Sequence, residues 1–265
     1  MNPSSYPFWV KAAFGSAAVA ASTLLSASMA VAAPTPVDLE LFLSVDVSGS
    51  VDTTEFNLQK LGYVQAFQDA AVQAAIASKP NGVAVALGQW SSAADSPLAV
   101  GWTLLTDAAS SNAFAAAINA MGRQSSGATC VACGINAAVA ELGSNNYVGA
   151  SVIDVSGDGQ DNVVGTAATA AARDAAAALG IKINGLPILT DDPNLGVWYQ
   201  ANVQTATGFT QPAATFADFD QAVKLKIVRE IAGDSVPGPL PILGAGVAFG
   251  FSRRLRRRIT VATLA

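Results

Sequence analysis

Five residues with no charge, Leu41 to Val45, end abruptly in Asp46-Val47-Ser48-Gly49-Ser50. An uncharged run of this length reads as a buried strand, with the carboxylate at its carboxyl end. From Asp52 to Ala77 the apolar positions Phe56, Leu61, Val64, Phe67, Val72 and Ile76 recur on an approximately helical period, which predicts one long amphipathic helix capped by Thr53 or Thr54. Pro80-Asn81-Gly82 ends it, and GVAVALGQW (Gly82–Trp90) is a second apolar strand. Val100–Leu105 predicts a short third strand, antiparallel at an edge. Asn112–Met121 and Cys130–Leu142 read as helices around the polar loop Arg123–Thr129. Gly149–Val155 is a strand ending in Ser156-Gly157-Asp158-Gly159, followed by an alanine-rich helix, Thr166–Leu179. Ile181–Ile188 predicts a strand, Leu195–Thr205 a helix, Gly208–Thr215 an edge strand and Phe216–Ile231 a last amphipathic helix. Strands alternating with helices over such a length predict an α/β fold: an open, mostly parallel central sheet with helices on both faces.

At 265 residues and 51% hydrophobic, the chain is long enough for one sizeable core. Its formal charge of -5 conceals an uneven distribution. All 19 acidic residues lie between Asp38 and Asp234, and eight lysines and arginines in that interval leave it at −11. An acidic body argues against a nucleic-acid partner, which calls for clustered Lys and Arg, and suits a cation. With no histidine in the chain, Ser-His-Asp and Cys-His catalysis and His-containing zinc sites are excluded. No GxxxxGK[ST] phosphate loop is present.

Both ends read as addresses. In residues 1–32, Lys11 precedes a small, apolar run (Ala12–Leu25), and Ala30-Val31-Ala32 offers an A-x-A cleavage site, the pattern of a secretory signal peptide. An uncleaved anchor is the alternative. Residues 236–265 begin Val-Pro-Gly-Pro-Leu-Pro, continue with the apolar ILGAGVAFGF, and end with Arg253, Arg254, Arg256, Arg257 and Arg258. The apolar part falls short of the ~20 residues of a comfortable membrane span, and the arginines match a cytoplasmic flank. This tail resembles the PEP-CTERM class of bacterial sorting signals, with Val-Pro-Gly-Pro-Leu-Pro where Pro-Glu-Pro is usual. The resemblance implies processing by an exosortase-type membrane transpeptidase; a plain membrane anchor and an amphipathic basic tail are the other readings. The chain is thus expected to be exported to the cell envelope, periplasm, cell surface or exterior, with residues 33–235 as its working domain.

Asp46, Ser48 and Ser50 form a set of hard oxygen donors suited to Mg²⁺ or Ca²⁺. Asp158 also follows a strand directly, between glycines that permit a tight turn, although alone it reads equally as a turn residue bonding its own backbone. Thr129 stands before a helix, where a threonine commonly serves as N-cap. All three loops are predicted at one edge of the sheet, and that convergence favours a metal site. Asp46-x-Ser48-x-Ser50, Thr129 and Asp158 together resemble the metal-ion-dependent adhesion site (MIDAS) of von Willebrand factor A domains. LFLSVDVSGSVD, Gln59–Tyr63, Ala66-Phe67, Val155–Gly159, Ile181–Leu186 and Lys224-Leu225 extend the likeness, over roughly residues 38–232, to exported bacterial A-domain proteins of unassigned function. The resemblance implies that the five residues surround a divalent cation, Mg²⁺ with Mn²⁺ or Ca²⁺ as alternatives, some through water. It also implies a protein partner whose acidic side chain completes the shell. Two departures stand out: Thr205–Thr215 lacks a Gly-Gly-Pro-Gly run, and the helix after Thr129 begins Cys-Val-Ala-Cys.

Cys130 and Cys133 form a C-x-x-C pair at a predicted helix N-terminus. The spacing allows a local disulfide in an oxidising compartment, buried packing thiols, or a redox pair. Three function classes follow. The first is an exported, cation-dependent binding module for adhesion or surface assembly. The second is an enzyme of the envelope, either a metal-dependent hydrolase or a Cys-Cys redox protein; the absence of histidine counts against it. The third is a structural component whose site is degenerate.

Overall fold

The computed structural model describes residues 33–92 and 98–233. The expected signal peptide (1–32) and sorting tail (236–265) lie outside the described residues. Strand β1 (Thr35–Asp46) is buried on both faces from Leu39 onward, because it is the middle strand of five in the order β3-β2-β1-β4-β5. It runs parallel to β2 (Val83–Trp90), with Leu41 opposite Val85, and to β4 (Tyr147–Gly157), with Leu41 opposite Val152. Strand β5 (Lys182–Pro187) extends the parallel ladder beyond β4. Strand β3 (Leu98–Leu105) is antiparallel to β2 and forms the edge, as the sequence led us to expect.

Alternate residues of β1 feed two cores. Leu41, Leu43 and Val45 pack with α1 (Thr53–Gln68), α2 (Ala70–Ala77), α3 (Ala108–Ala120) and α7 (Phe219–Ala232). Phe42 points the other way, towards α4 (Val131–Leu142), α5 (Thr166–Ala178) and α6 (Leu195–Asn202). Each fully buried Leu or Phe contributes roughly 1.5–3 kcal/mol from burial, so a continuous apolar strand belongs at the centre. Gly134 in α4 sits against the Trp90 indole, where an added Cβ would come within 2.6 Å. That position lets the helix close onto the sheet.

Four expectations require correction. The helix over Asp52–Ala77 is two helices, because Asp69 adopts an extended backbone and its carboxylate accepts from the Ala71 N–H at 2.8 Å, starting α2 afresh. The cap of α1 is Asp52, not Thr53 or Thr54: its Oδ1 accepts from the N–H groups of Thr54 and Glu55 (2.6 and 2.8 Å), while Glu55 accepts from the Asp52 N–H. Helix α3 begins at Ala108, earlier than Asn112, since Asp107 caps it through Ser110. The segment Gly208–Thr215 forms only isolated parallel bridges, Gly185 with Thr210 and Ile188 with Ala213. Its bonds to β5 come from alternate residues, the Gln211 N–H donating to the Gly185 carbonyl and the Ala213 N–H to the Pro187 carbonyl, so Pro212 falls where its missing N–H would face away from β5.

The α7 face contains an ionic cluster. Lys226 Nζ lies 2.7 Å from Asp154 Oδ1 of β4 and 2.5 Å from Glu230 Oε1, all three side chains fully buried. Asn184 of β5 donates to the same Glu230 oxygen at 2.9 Å and accepts from the Phe209 N–H at 3.0 Å. Burial first, then the Asp154 charge, raises Glu230 to about 7, with Lys226 opposing. The Asp154 carboxyl is raised as well, chiefly by burial. One lysine and two carboxyl groups are electrically balanced in this interior when one carboxyl keeps its proton.

Candidate metal centre

Parallel strands leave the sheet in one direction, so β1 and β4 deliver their following loops to the same edge. Asp46 ends β1, and Asp158 directly follows β4. The structure brings all five expected residues together there. The Ser48 N–H donates to Asp46 Oδ1 at 2.7 Å, fixing the turn after the strand. Ser48 Oγ stands 3.2 Å from Ser50 Oγ and accepts from Thr129 Oγ1 at 3.2 Å, and Ser50 Oγ donates to Asp158 Oδ1 at 2.8 Å. Asp46, Ser48, Thr129 and Asp158 are buried, while Ser50 is exposed and marks the open side.

Two carboxylate oxygens, Asp46 Oδ2 and Asp158 Oδ2, are buried without a hydrogen-bond partner. Leaving such acceptors unpaired is costly unless a ligand satisfies them. Asp46 is raised to about 7 by burial first and then by the Asp158 charge, against the Ser48 hydrogen bonds. Asp158 is also raised, chiefly by burial, with the Ser50 hydroxyl opposing. A cation at this edge would relieve both effects. Among the described residues no three His, Cys, Asp or Glu side chains converge as a metal cluster, so the hydroxyls would supply the remaining protein donors. Two carboxylates and three neutral hydroxyls fit a hard divalent ion that keeps open or water-filled positions.

A family model described as "Protein of unknown function (DUF1194)" matches residues 36–235. The chain belongs to this family. Among curated proteins, none matches it in sequence. Solved structures similar to this DUF1194 chain include a von Willebrand factor type A protein from Catenulispora acidiphila, at 14% identity and TM-score 0.54, covering 73% of this chain and 42% of that one. The pilus adhesin SpaC from Lactobacillus rhamnosus GG, in its open conformation, is similar at 17% identity and TM-score 0.55, over 74% of this chain and 30% of the adhesin. Proximal thread matrix protein 1 from the mussel byssus, with a zinc occupied MIDAS motif, is similar at 18% identity and TM-score 0.51, over 72% of this chain and 46% of that protein. The chain therefore spans less than half the length of each of these proteins. At such identities the likeness establishes the fold, which is of the von Willebrand factor A type.

Several residues that hold this edge of the DUF1194 chain together were not singled out from the sequence. The Arg123 guanidinium donates to the carbonyls of Val47 and Ser48 at 2.8 and 2.6 Å, pinning the loop that carries the serines. Asn162 and Thr129 bond reciprocally: the Thr129 N–H donates to Asn162 Oδ1 and the Asn162 N–H to the Thr129 carbonyl, each at 2.9 Å. Tyr199 of α6 brings a buried hydroxyl without a hydrogen-bond partner to the same region. A Cβ added at Gly157 would lie 2.8 Å from both this hydroxyl and Asp46 Oδ2, so the glycine makes their approach possible. Position in the Ser-Gly-Asp-Gly-Gln-Asp-Asn run was an available signal for Asn162; nothing local marks Tyr199.

The N-cap reading of Thr129 is corrected. Cys130 holds the cap position of α4, its sulfur accepting from the Cys133 N–H at 3.3 Å, which leaves the Thr129 hydroxyl for Ser48. Cys130 and Cys133 are joined by a disulfide across the first helical turn, with Cα atoms 5.2 Å apart. Among the described residues no helix is long and apolar enough to cross a membrane.

Proposed function

We propose that this DUF1194 chain is an exported protein-binding module of adhesion or surface assembly that depends on a divalent cation. Asp46, Ser48, Ser50, Thr129 and Asp158 would hold the ion, Mg²⁺ first, with Mn²⁺ and Ca²⁺ as competitors. The ion would act as a Lewis acid whose remaining position accepts a carboxylate from a protein partner. The observation that carries this reading is the pair of buried, unpartnered carboxylate oxygens beside three linked hydroxyls at one sheet edge. The adhesin and the zinc-occupied byssus protein lend support by sharing the fold. The reading places residues 33–235 outside the cytoplasm, delivered by the signal peptide, with the tail from 236 handled at the membrane by an exosortase-type enzyme.

Calorimetric titration of the full chain with Mg²⁺ and Mn²⁺ tests the cation; affinity capture from envelope extracts, with and without EDTA, tests the partner. Asp46→Ala should abolish both cation binding and capture while retaining the wild-type circular dichroism. Capture that is equal with EDTA and in D46A would overturn the proposal.

A further inference from the structure

Two glycines in the sheet clear a path for one tyrosine. Gly185 lies inside β5, opposite Val155 of β4, and Gly157 ends β4. A Cβ added at Gly185 would come within 2.8 Å of Tyr199 Cδ1, and one added at Gly157 would stand 2.8 Å from the Tyr199 hydroxyl. The ring therefore lies across both strands, its base over β5 and its oxygen at the end of β4. Glycine inside a strand sacrifices packing, and it recurs where another group must come close. Tyr199 is fully buried, and its ring meets Trp198 edge-on with centroids 5.6 Å apart. The Trp198 indole in turn donates to the Thr166 hydroxyl at 3.1 Å, which ties α6 to the start of α5. Held on these sides, the phenol points one way.

That direction is the candidate cation site. The point that lies 2.8 Å from the hydroxyl also lies 2.8 Å from Asp46 Oδ2, so the two oxygens stand at most twice that distance apart, a span that one bridging water covers. Both are buried, and neither has a hydrogen-bond partner among the described residues. Their chemistry is complementary. A carboxylate oxygen only accepts, and a phenol keeps its proton at neutral pH and donates. Oδ1 of the same carboxylate already accepts from the Ser48 N–H at 2.7 Å, so a donor to Oδ2 holds the second oxygen as well. With two lone pairs, Oδ2 can serve that donor and a cation, or a cation's water, together. Packing does not account for the phenolic oxygen, because phenylalanine would fill the same space without stranding a hydroxyl. Tyr63 provides the contrast in the other core. It is buried as deeply, and its hydroxyl has a protein partner, Ser156 Oγ at 3.1 Å.

We propose that Tyr199 is a positioning residue of the candidate cation site, its hydroxyl supporting the Asp46 carboxylate directly or through one water when a divalent cation binds. This rests on the cation reading above and adds a residue that acts through Asp46 rather than on the ion. Carboxylates that ligate a metal are oriented by donors behind them, and loss of such a donor typically costs roughly 10–100-fold in metal affinity. Because the hydroxyl has no other partner among the described residues, it contributes to cation binding and not to the fold.

The test is calorimetric Mg²⁺ titration and urea unfolding of the full chain, with wild type beside Tyr199→Phe and Tyr63→Phe. Each variant removes one buried phenolic oxygen, from the two cores on either side of the sheet. Y199F should bind Mg²⁺ about tenfold more weakly, the lower end of that range, and in EDTA it should be no less stable than wild type. Y63F should show the reverse, with Mg²⁺ affinity unchanged and stability in EDTA lowered by loss of the Ser156 hydrogen bond. Wild-type Mg²⁺ affinity in Y199F would overturn the positioning role while sparing the cation site. So would equal weakening in both variants, or a Y199F chain destabilised in EDTA as much as Y63F, since either marks a general effect of core packing. A wild-type chain that binds no Mg²⁺ would overturn the cation reading first, and the role of Tyr199 with it.

Discussion

Replacing Glu230 with glutamine should flatten the dependence of stability on pH. The amide oxygen of the substituted side chain would still accept from Lys226 and Asn184, as Glu230 Oε1 does now at 2.5 and 2.9 Å, but the group would never ionise. In the wild type the Glu230 carboxyl is raised from 4.5 to about 7 in the folded chain, by burial first and by Asp154 second. A group with a raised folded value binds more protons folded than unfolded between those two values, so stability falls as pH rises from about 4.5 through 7. At ~1.36 kcal/mol per unit, the interval corresponds to a loss on the order of 3 kcal/mol. Asp46 titrates in the same window with the same sign, so the readout is the difference between wild type and E230Q rather than either slope alone. Urea unfolding in steps from pH 5 to 8 supplies it. The variant should be the more stable protein at pH 8, with the gap closing towards pH 5. Parallel curves for the two proteins would refute the picture of a cluster that holds one proton.

Lys226→Met should be strongly destabilising, by ~3–5 kcal/mol in urea unfolding at pH 7, because it strips the cation from two fully buried carboxyl groups. Gly157→Ala should cost ~1–3 kcal/mol by overpacking and weaken Mg²⁺ binding in calorimetry, since the new methyl meets Asp46 Oδ2 and the Tyr199 hydroxyl. Dithiothreitol should lower thermal stability only modestly, as the disulfide closes a very short loop worth ~2 kcal/mol by loop entropy. It should also weaken Mg²⁺ binding, because Thr129 adjoins the bridge; unchanged affinity on reduction would refute that coupling.

Much of the architecture was legible because it rests on patterns that tertiary contacts reinforce. The uncharged run Leu41–Val45 is apolar almost throughout because both sheet neighbours and both helical layers bury it. Asp46 and Asp158 could be placed at one edge because an abrupt end to an apolar strand marks where the chain leaves the sheet. Competition by short polar side chains was harder to read. Asp69 sits inside a good helical period yet turns its carboxylate onto the backbone and ends α1, an option that periodicity does not register. Lys226 reads in sequence as part of an amphipathic face, and its burial depends on Asp154 and Asn184, which lie far away in the chain. Arg123 and Tyr199 escaped notice for the same reason: their roles at the site arise from partners that no local motif specifies.

The place of β1 in the sheet also bears on how the chain acquires its fold. The first strand of the described residues is the central one, and its register with β4 joins Leu41 to Val152. Its other neighbour, β2, is reached only across α1 and α2, whereas β2 and β3 meet as an antiparallel pair close in sequence. Pairings between distant segments demand loop closure before they return any stabilisation, and they slow folding accordingly. The central strand therefore waits, unpaired on its β4 side, until much of the domain has been synthesised. Such a chain would fold late and all at once, with the two carboxylates of the candidate site meeting only when its middle strand is finally enclosed.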